Sequence, residues 1–220
     1  MKNNYLKGLS TFDTATLSDV LDGLGIEGGL LGIKPQIENS NLVGRAFTVE
    51  YRQPDELDKE LKQPANFIDD IPRNYIPVLA NNGNLYCTVW GDILTKVAQQ
   101  KGIQGTVIDG CCRDINYIRT SKYNLFSKDV FMQSGKGRTV MSQVNVPVTI
   151  SGVTILPGDY IRGDDNGIVI IPQKNIKEVI ELSNNVIRKE KAIRQMVDEG
   201  SRLDKARDKV NYSHAWEVQN

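Results

Sequence analysis

Two short pairs hold the residues best suited to chemistry: Gly91-Asp92 and Arg113-Asp114. Each lies where a strand-like run gives way to a helix-like one. In an open parallel sheet, ligands bind beyond the carboxyl ends of the strands, and both pairs fall on that edge. A helix N-terminus there presents unpaired N–H groups and the positive end of the helix dipole, which suit a carboxylate or a phosphate. The amides of Ile93 and Leu94 are the candidate donors, and glycine at 91 permits close approach to the backbone. Arg113 adds a planar guanidinium that can grip a carboxylate. A plainer reading competes: Asp92 and Asp114 as N-caps of their helices, and Arg113 as half of a surface ion pair.

Composition removes other chemistries. The chain has 220 residues and three cysteines, and its single histidine is His214. Cys111 and Cys112 are adjacent and Cys87 stands apart, which gives neither a disulfide framework nor a CxxC zinc site. A histidine cage is impossible within one chain, so a metal used here would be a hard ion held by oxygen, Mg²⁺ or Mn²⁺. Lys and Arg total 27, as do Asp and Glu, and this zero net charge argues against a general nucleic-acid binder. No apolar run approaches the length of a membrane span. The N-terminal residues Met1 to Tyr5 contain no apolar signal core, so a cytoplasmic location is expected.

Other candidates read mostly as structure. Arg162-Gly163-Asp164-Asp165-Asn166-Gly167 is acid-rich but lacks the ligand spacing of an EF-hand, and reads as a hairpin turn of type I′. Glu190 lies along the apolar stripe of a long helix, three residues from both Ile187 and Ile193. It either pairs with Arg194 or reaches into a site shared with another subunit. Gly23 to Gly32 follows a helix and matches no nucleotide loop. Lys136 reads as a loop lysine, and the cysteines, with no histidine beside them, as non-catalytic.

The elements that must position these residues follow from periodicity. Residues 13–24 read as a helix and 43–51 as a strand. Residues 52–75 read as a proline-punctuated surface excursion with one short helix. The sequence then alternates: strands at 76–80 and 85–90, a helix at 92–101, a strand at 105–108, a helix at 114–121 and a strand at 125–131. That order implies a parallel sheet with crossover helices. A hairpin around Ser151-Gly152, a strand at 168–171 and a long helix over 173–199 complete a domain covering residues 1–200. Residues 201–220 read as a charged, solvated tail.

Taken together, VGRAFTV (43–49), WGDIL (90–94), KGIQGTVIDGCCRD (101–114), the D-x20-R-D spacing of Asp92 and Arg113-Asp114, and PGDYIRGDDNGIVIIP (157–172) resemble the RraA-like family. That family includes the 4-hydroxy-4-methyl-2-oxoglutarate aldolases. The resemblance covers about residues 13–200. It implies a compact α/β/β fold with a partly parallel sheet, assembled as trimers or hexamers with sites between subunits. It further implies a divalent-metal, class II pyruvate aldolase with oxaloacetate decarboxylase side activity. Asp114 would ligate Mg²⁺ (or Mn²⁺) and Asp92 would hold water on it. Arg113 would bind the pyruvyl oxygen, and Gly91, Ile93 and Leu94 the substrate carboxylate. A Glu from a neighbour's C-terminal helix would complete the site; Glu190 is the best match and Glu199 lies nearby. Asp164 matches a recurrent Asp of the family's D-x-x-G turn. The alternative is a regulator of this family, which binds a protein such as a ribonuclease and typically lacks the first Asp of D-x20-R-D. Asp92 is present here.

Overall fold

The computed structural model describes residues 2–56, 58 and 65–214. Its elements run α1 (Lys2–Leu9), α2 (Thr14–Gly23), β1 (Lys34–Pro35), β2 (Leu42–Arg52), β3 (Tyr75–Thr88), α3 (Asp92–Lys101), β4 (Gly105–Cys112), α4 (Ile115–Thr120), β5 (Asn124–Val130), β6 (Val140–Val144), β7 (Val148–Ile150), β8 (Val153–Ile155), β9 (Tyr160–Asp164), β10 (Gly167–Ile171), α5 (Ile176–Asp198) and α6 (Leu203–Lys209). One sheet has the order β1-β5-β4-β3-β2-β9-β10, with β6 also paired to β2. Strands β2 to β5 pair in parallel. β1, β6, β9 and β10 join antiparallel. The fold is thus mixed α/β with a partly parallel central sheet and a long C-terminal helix, as the alternation of elements implies.

Every residue of β4 is buried, as expected of a parallel strand covered on both faces. Val107 points into a cluster with Ala46, Val78 and Phe126. Ile108 points into a second cluster with Trp90, Ile118 and Leu125. The sheet curls towards a barrel. A Cβ at Gly163 on β9 would lie 2.9 Å from the ring of Phe126 on β5, although β4, β3 and β2 separate these strands.

Several boundaries differ from the sequence reading. The two strands at 76–80 and 85–90 are one strand, β3, interrupted by register breaks on either side of Asn84. Asn82 and Gly83 take left-handed backbone there, with φ of 53° and 66°. Asp109 pins the bulge: its Oδ2 accepts the Gly83 N–H at 2.9 Å, and its Oδ1 pairs with Lys128 Nζ at 2.7 Å. The excursion is also less superficial than its polarity implied. Residues 57 and 59–64 lie outside the described residues. Asn66–Asp70 forms a short 3₁₀ helix, and Phe67, Ile68 and Ile71 are buried. Lys101 Nζ on α3 donates to the Asp69 carbonyl at 2.7 Å and ties this segment to the helix behind Asp92.

Ser151 and Gly152 form a left-handed pair between β7 and β8, as their turn signal implies. The β9–β10 turn is not the expected type I′, because neither Asp165 nor Asn166 is left-handed. Asp164 locks this turn to the start of α2. Its carboxylate accepts from Thr14 N at 2.8 Å, Thr14 Oγ1 at 2.7 Å and Asn166 N at 2.9 Å. Burial pushes its pKa up, but these bonds and nearby Arg162 outweigh that and hold it below the usual carboxylate range. A depressed folded pKa contributes stability that is present above the unfolded value and lost as pH falls through the folded one. Asp164→Asn is therefore expected to cost about 1 kcal/mol at neutral pH. The cost should shrink on acidification, as read by paired thermal melts; a gap that stays constant with pH would reject the linkage.

Candidate active site

The carboxyl ends of β3 and β4 build one corner. The Arg113 N–H donates to the Trp90 carbonyl at 3.0 Å, joining the segment after β4 to the one after β3. Trp90 is buried and its ring stacks on Tyr123, with centroids 6.1 Å apart and planes 4° off parallel. Trp90 Nε1 donates to Thr95 Oγ1 at 2.9 Å, and that hydroxyl donates to the Gly91 carbonyl at 2.9 Å. A large ring with its polar atom satisfied makes a rigid floor. Residues 91–94 are thereby fixed at the start of α3.

Neither aspartate is the simple N-cap of the plainer reading. Gly91 occupies the N-cap position of α3, and Asp92 is in the first turn. Asp92 Oδ1 accepts its neighbour's N–H, that of Ile93, at 2.7 Å. Asp114 occupies the N-cap position of α4 but makes no side-chain capping bond there. It reaches across the corner instead: its Oδ2 accepts the Asp92 N–H at 3.1 Å and lies 3.4 Å from Arg113 Nε. Asp114 does this from left-handed backbone, φ 58° and ψ 38°. That conformation costs a non-glycine residue on the order of 1 kcal/mol, with Asp among the more tolerant types.

Glycine at 91 was expected to admit a ligand, but the group that comes close is Asp114. A Cβ at position 91 would sit 2.5 Å from Asp114 Oδ2 and 3.3 Å from Arg113 Cγ and Nε. The backbone there is extended, with φ −156°, so the requirement is for space and not for unusual dihedrals. Gly91→Ala is therefore expected to displace the Asp114 carboxylate with the melting temperature little changed. If Asp114 ligates a divalent ion, as the resemblance implies, ion binding should weaken by about tenfold or more. Calorimetric titration with Mn²⁺ checks this, and unaltered affinity would refute it.

A cavity of about 230 Å³ opens over the corner, walled by Gly91, Asp92, Ile93, Leu94, Arg113 and Lys136. A neighbouring hollow of about 600 Å³ shares Arg113 and adds Asp114, Tyr117 and Met132. The side chains of Arg113 and Asp114 are 40% and 36% exposed, open to a ligand. The structure thus brings together Gly91, Asp92, Ile93, Leu94, Arg113 and Asp114. It adds Lys136, which reads in the sequence as a loop lysine and here stands on the cavity wall. Its turn is drawn to the corner by pairing of Ser134 with Thr88 and by the Thr88 N–H donating to the Gln133 carbonyl at 2.9 Å. Arg138 Nη1 braces the turn on the Ser134 and Lys136 carbonyls at 3.1 and 3.4 Å. The only local signal is a cation between two glycines, Gly135-Lys136-Gly137. Burial pushes the thiols of Cys111 and Cys112 up to about 11, so neither is a ready nucleophile.

Glu190 is not brought to this corner within one chain. Helix α5 packs against α1, α2 and α6. Glu190 Oε2 accepts from Arg194 Nη2 at 2.5 Å and Oε1 from the Tyr212 hydroxyl at 3.0 Å. The local salt bridge is therefore present. Glu199 accepts from exposed Gln195 at 3.0 Å.

The donor set suits a hard cation in part. Asp92 and Asp114 supply carboxylate oxygens, and the bonds above use one oxygen of each. No group of three or more His, Cys, Asp or Glu able to hold a metal occurs among the described residues. Two carboxylates with room for water and substrate are compatible with Mg²⁺, which keeps much of its shell as water. Among the described residues no helix is long and apolar enough to cross a membrane.

Comparison with known proteins connects these observations. The chain is 39% identical over 213 residues, 97% of its length, to protein DlpA of Legionella pneumophila, but spans only 35% of that larger protein. It is 32% identical over 178 residues to a protein of Halalkalibacterium halodurans named "Putative 4-hydroxy-4-methyl-2-oxoglutarate aldolase", covering 81% of each chain. A solved structure of an uncharacterised protein from Pseudomonas syringae pv. tomato superposes with a TM-score of 0.88 at 43% identity, covering 94% of both chains. The family described as "RraA-like: Aldolase/RraA" matches residues 14–170, a span that holds the whole corner and its D-x20-R-D spacing. By that match and these likenesses, the chain belongs to the RraA-like family.

Proposed function

We propose that this protein is a divalent-metal-dependent pyruvate aldolase. It would cleave a 4-hydroxy-2-oxo acid, such as 4-hydroxy-4-methyl-2-oxoglutarate, to pyruvate and a carbonyl product, with oxaloacetate decarboxylation as a side activity. One observation carries the reading: the Asp114 carboxylate, the Asp92 N–H and the Arg113 guanidinium meet at one open corner beside the first turn of α3. The aldolase name of relatives at modest identity supports it.

Asp114 would hold the cation directly and Asp92 through water, and the bound ion would supply Lewis-acid polarisation of the 2-oxo acid. The remaining work falls to the chain. The Leu94 N–H in the first turn of α3, beside Gly91, offers the substrate carboxylate a donor in the positive field of the helix. The Ile93 N–H does so as well, once it exchanges Asp92 Oδ1 for the substrate. Arg113 places a fixed positive charge where C–C cleavage puts negative charge on the pyruvyl oxygen. Because that charge is largest in the transition state, the gain appears in kcat. The alcohol proton needs an acceptor, and among the described residues no histidine lines the corner. Asp92, together with Glu190 from a second copy of the chain, would hold an ordered water for that role.

Glu190 would complete the site only in a trimer or hexamer, because one chain keeps it on α5. Titration of pyruvate with and without Mg²⁺ tests the binding half of the proposal. Pyruvate should bind only with the ion present, and more weakly in Arg113→Ala. Binding that ignores both would reject this site, and no binding under either condition would favour the family's other activity, regulation of a protein partner.

A further inference from the structure

The segment past Gly200 is not simply solvated. Leu203–Lys209 forms α6, and the short turn Tyr212–His214 follows it. Ala206 of α6 is fully buried, and Ile193 of α5 is buried as well. Lys189 Nζ on α5 donates to the Asn211 carbonyl at 3.2 Å. This return places the Tyr212 hydroxyl 3.0 Å from Glu190 Oε1, while Arg194 Nη2 takes Oε2 at 2.5 Å. Arg207 stands over the Tyr212 ring, 5.8 Å from its centroid. Both oxygens of Glu190 are therefore held, and the side chain is only 23% exposed.

A lone glutamate on a helix surface samples many rotamers, and fixing one costs entropy. A charge on the packed helix also opposes this carboxylate: Asp19 belongs to α2, and its pKa is pushed up by burial first and then by Glu190, with Asp22 and Asp13 of the same helix and its cap adding to the push. Two donors from separate elements overcome that repulsion and set one orientation. Burial, then the bond to Glu190, pushes the Tyr212 pKa up, so the phenol stays a proton donor.

We propose that residues 203–214 are a positioning device for Glu190, with Tyr212 as the positioning residue that aims its carboxylate at the corner of a neighbouring copy. This rests on the proposed role of Glu190 in a shared site. In the full-length protein with Mg²⁺ and oxaloacetate, Tyr212→Phe keeps the ring and removes the donor. It should lower kcat by about tenfold and leave KM and the melting temperature nearly unchanged. In a Glu190→Gln background the same substitution should have no further effect, because its action passes through that carboxylate.

An unchanged kcat in Tyr212→Phe, or an equal loss in both backgrounds, would overturn the positioning role. If Glu190→Gln alone keeps full turnover, the shared-site reading of Glu190 has failed and takes this proposal with it. Should Tyr212→Phe not fold, Arg194→Gln puts the same question through the other oxygen, with the same pattern supporting or overturning the device.

Discussion

Arg113→Ala is expected to lower kcat for pyruvate-forming cleavage by about 10²–10³-fold, the usual consequence of removing a donor aimed at a developing oxyanion. The fold should survive. The tie between β3 and β4 uses the Arg113 backbone N–H, which alanine retains, and the side chain is 40% exposed. Its nearest charged partner, Asp114 Oδ2 at 3.4 Å, keeps the Asp92 N–H as a donor. Arg113→Lys should restore only part of the rate: an ammonium keeps the charge but loses the planar fork. If Arg113→Ala unfolds the protein, the residue is structural. If it turns over normally, the enolate is stabilised by something else.

Chelation should have the second large effect. With EDTA present, pyruvate release is expected to fall to background and to return when Mg²⁺ or Mn²⁺ is added in excess. Asp114→Asn should not recover at the same ion concentration. It keeps the side chain's shape, and an amide oxygen can still accept the Asp92 N–H, but the charge is gone. Undiminished turnover in EDTA would reject the all-oxygen site and point to an amine. Lys136 is the lysine on the cavity wall, and borohydride trapping with pyruvate would reveal a Schiff base there.

The corner was legible because two strand-to-helix junctions on neighbouring parallel strands must open on the same edge. Asp92 and Arg113-Asp114 could be placed together from that rule, before any contact was known. What could not be read is how they meet. That Asp114 turns left-handed and reaches into α3 instead of capping α4 depends on the space above Gly91, which only the packed strands define. Lys136 reaches the cavity through long-range pairing of residues 133 and 134 with Thr88, which no periodicity encodes. Asn82-Gly83 reads locally as a loop, and its place within β3 rests on Asp109 twenty-six residues on. The charged composition past Gly200 hid a helix whose one fully buried residue is an alanine, too small to register as a hydrophobic stripe.

The most direct measurement is release of pyruvate by the purified, Mg²⁺-supplied protein from 4-hydroxy-4-methyl-2-oxoglutarate and from oxaloacetate, followed with a coupled lactate dehydrogenase assay. The expected result is release from both, abolished by EDTA and lowered by about 10²–10³-fold for both in Arg113→Ala, since in this account both substrates pass through one pyruvate enolate at one corner. If the wild-type protein releases no pyruvate from oxaloacetate or from any 4-hydroxy-2-oxo acid, the aldolase reading is contradicted and a protein-binding role takes its place.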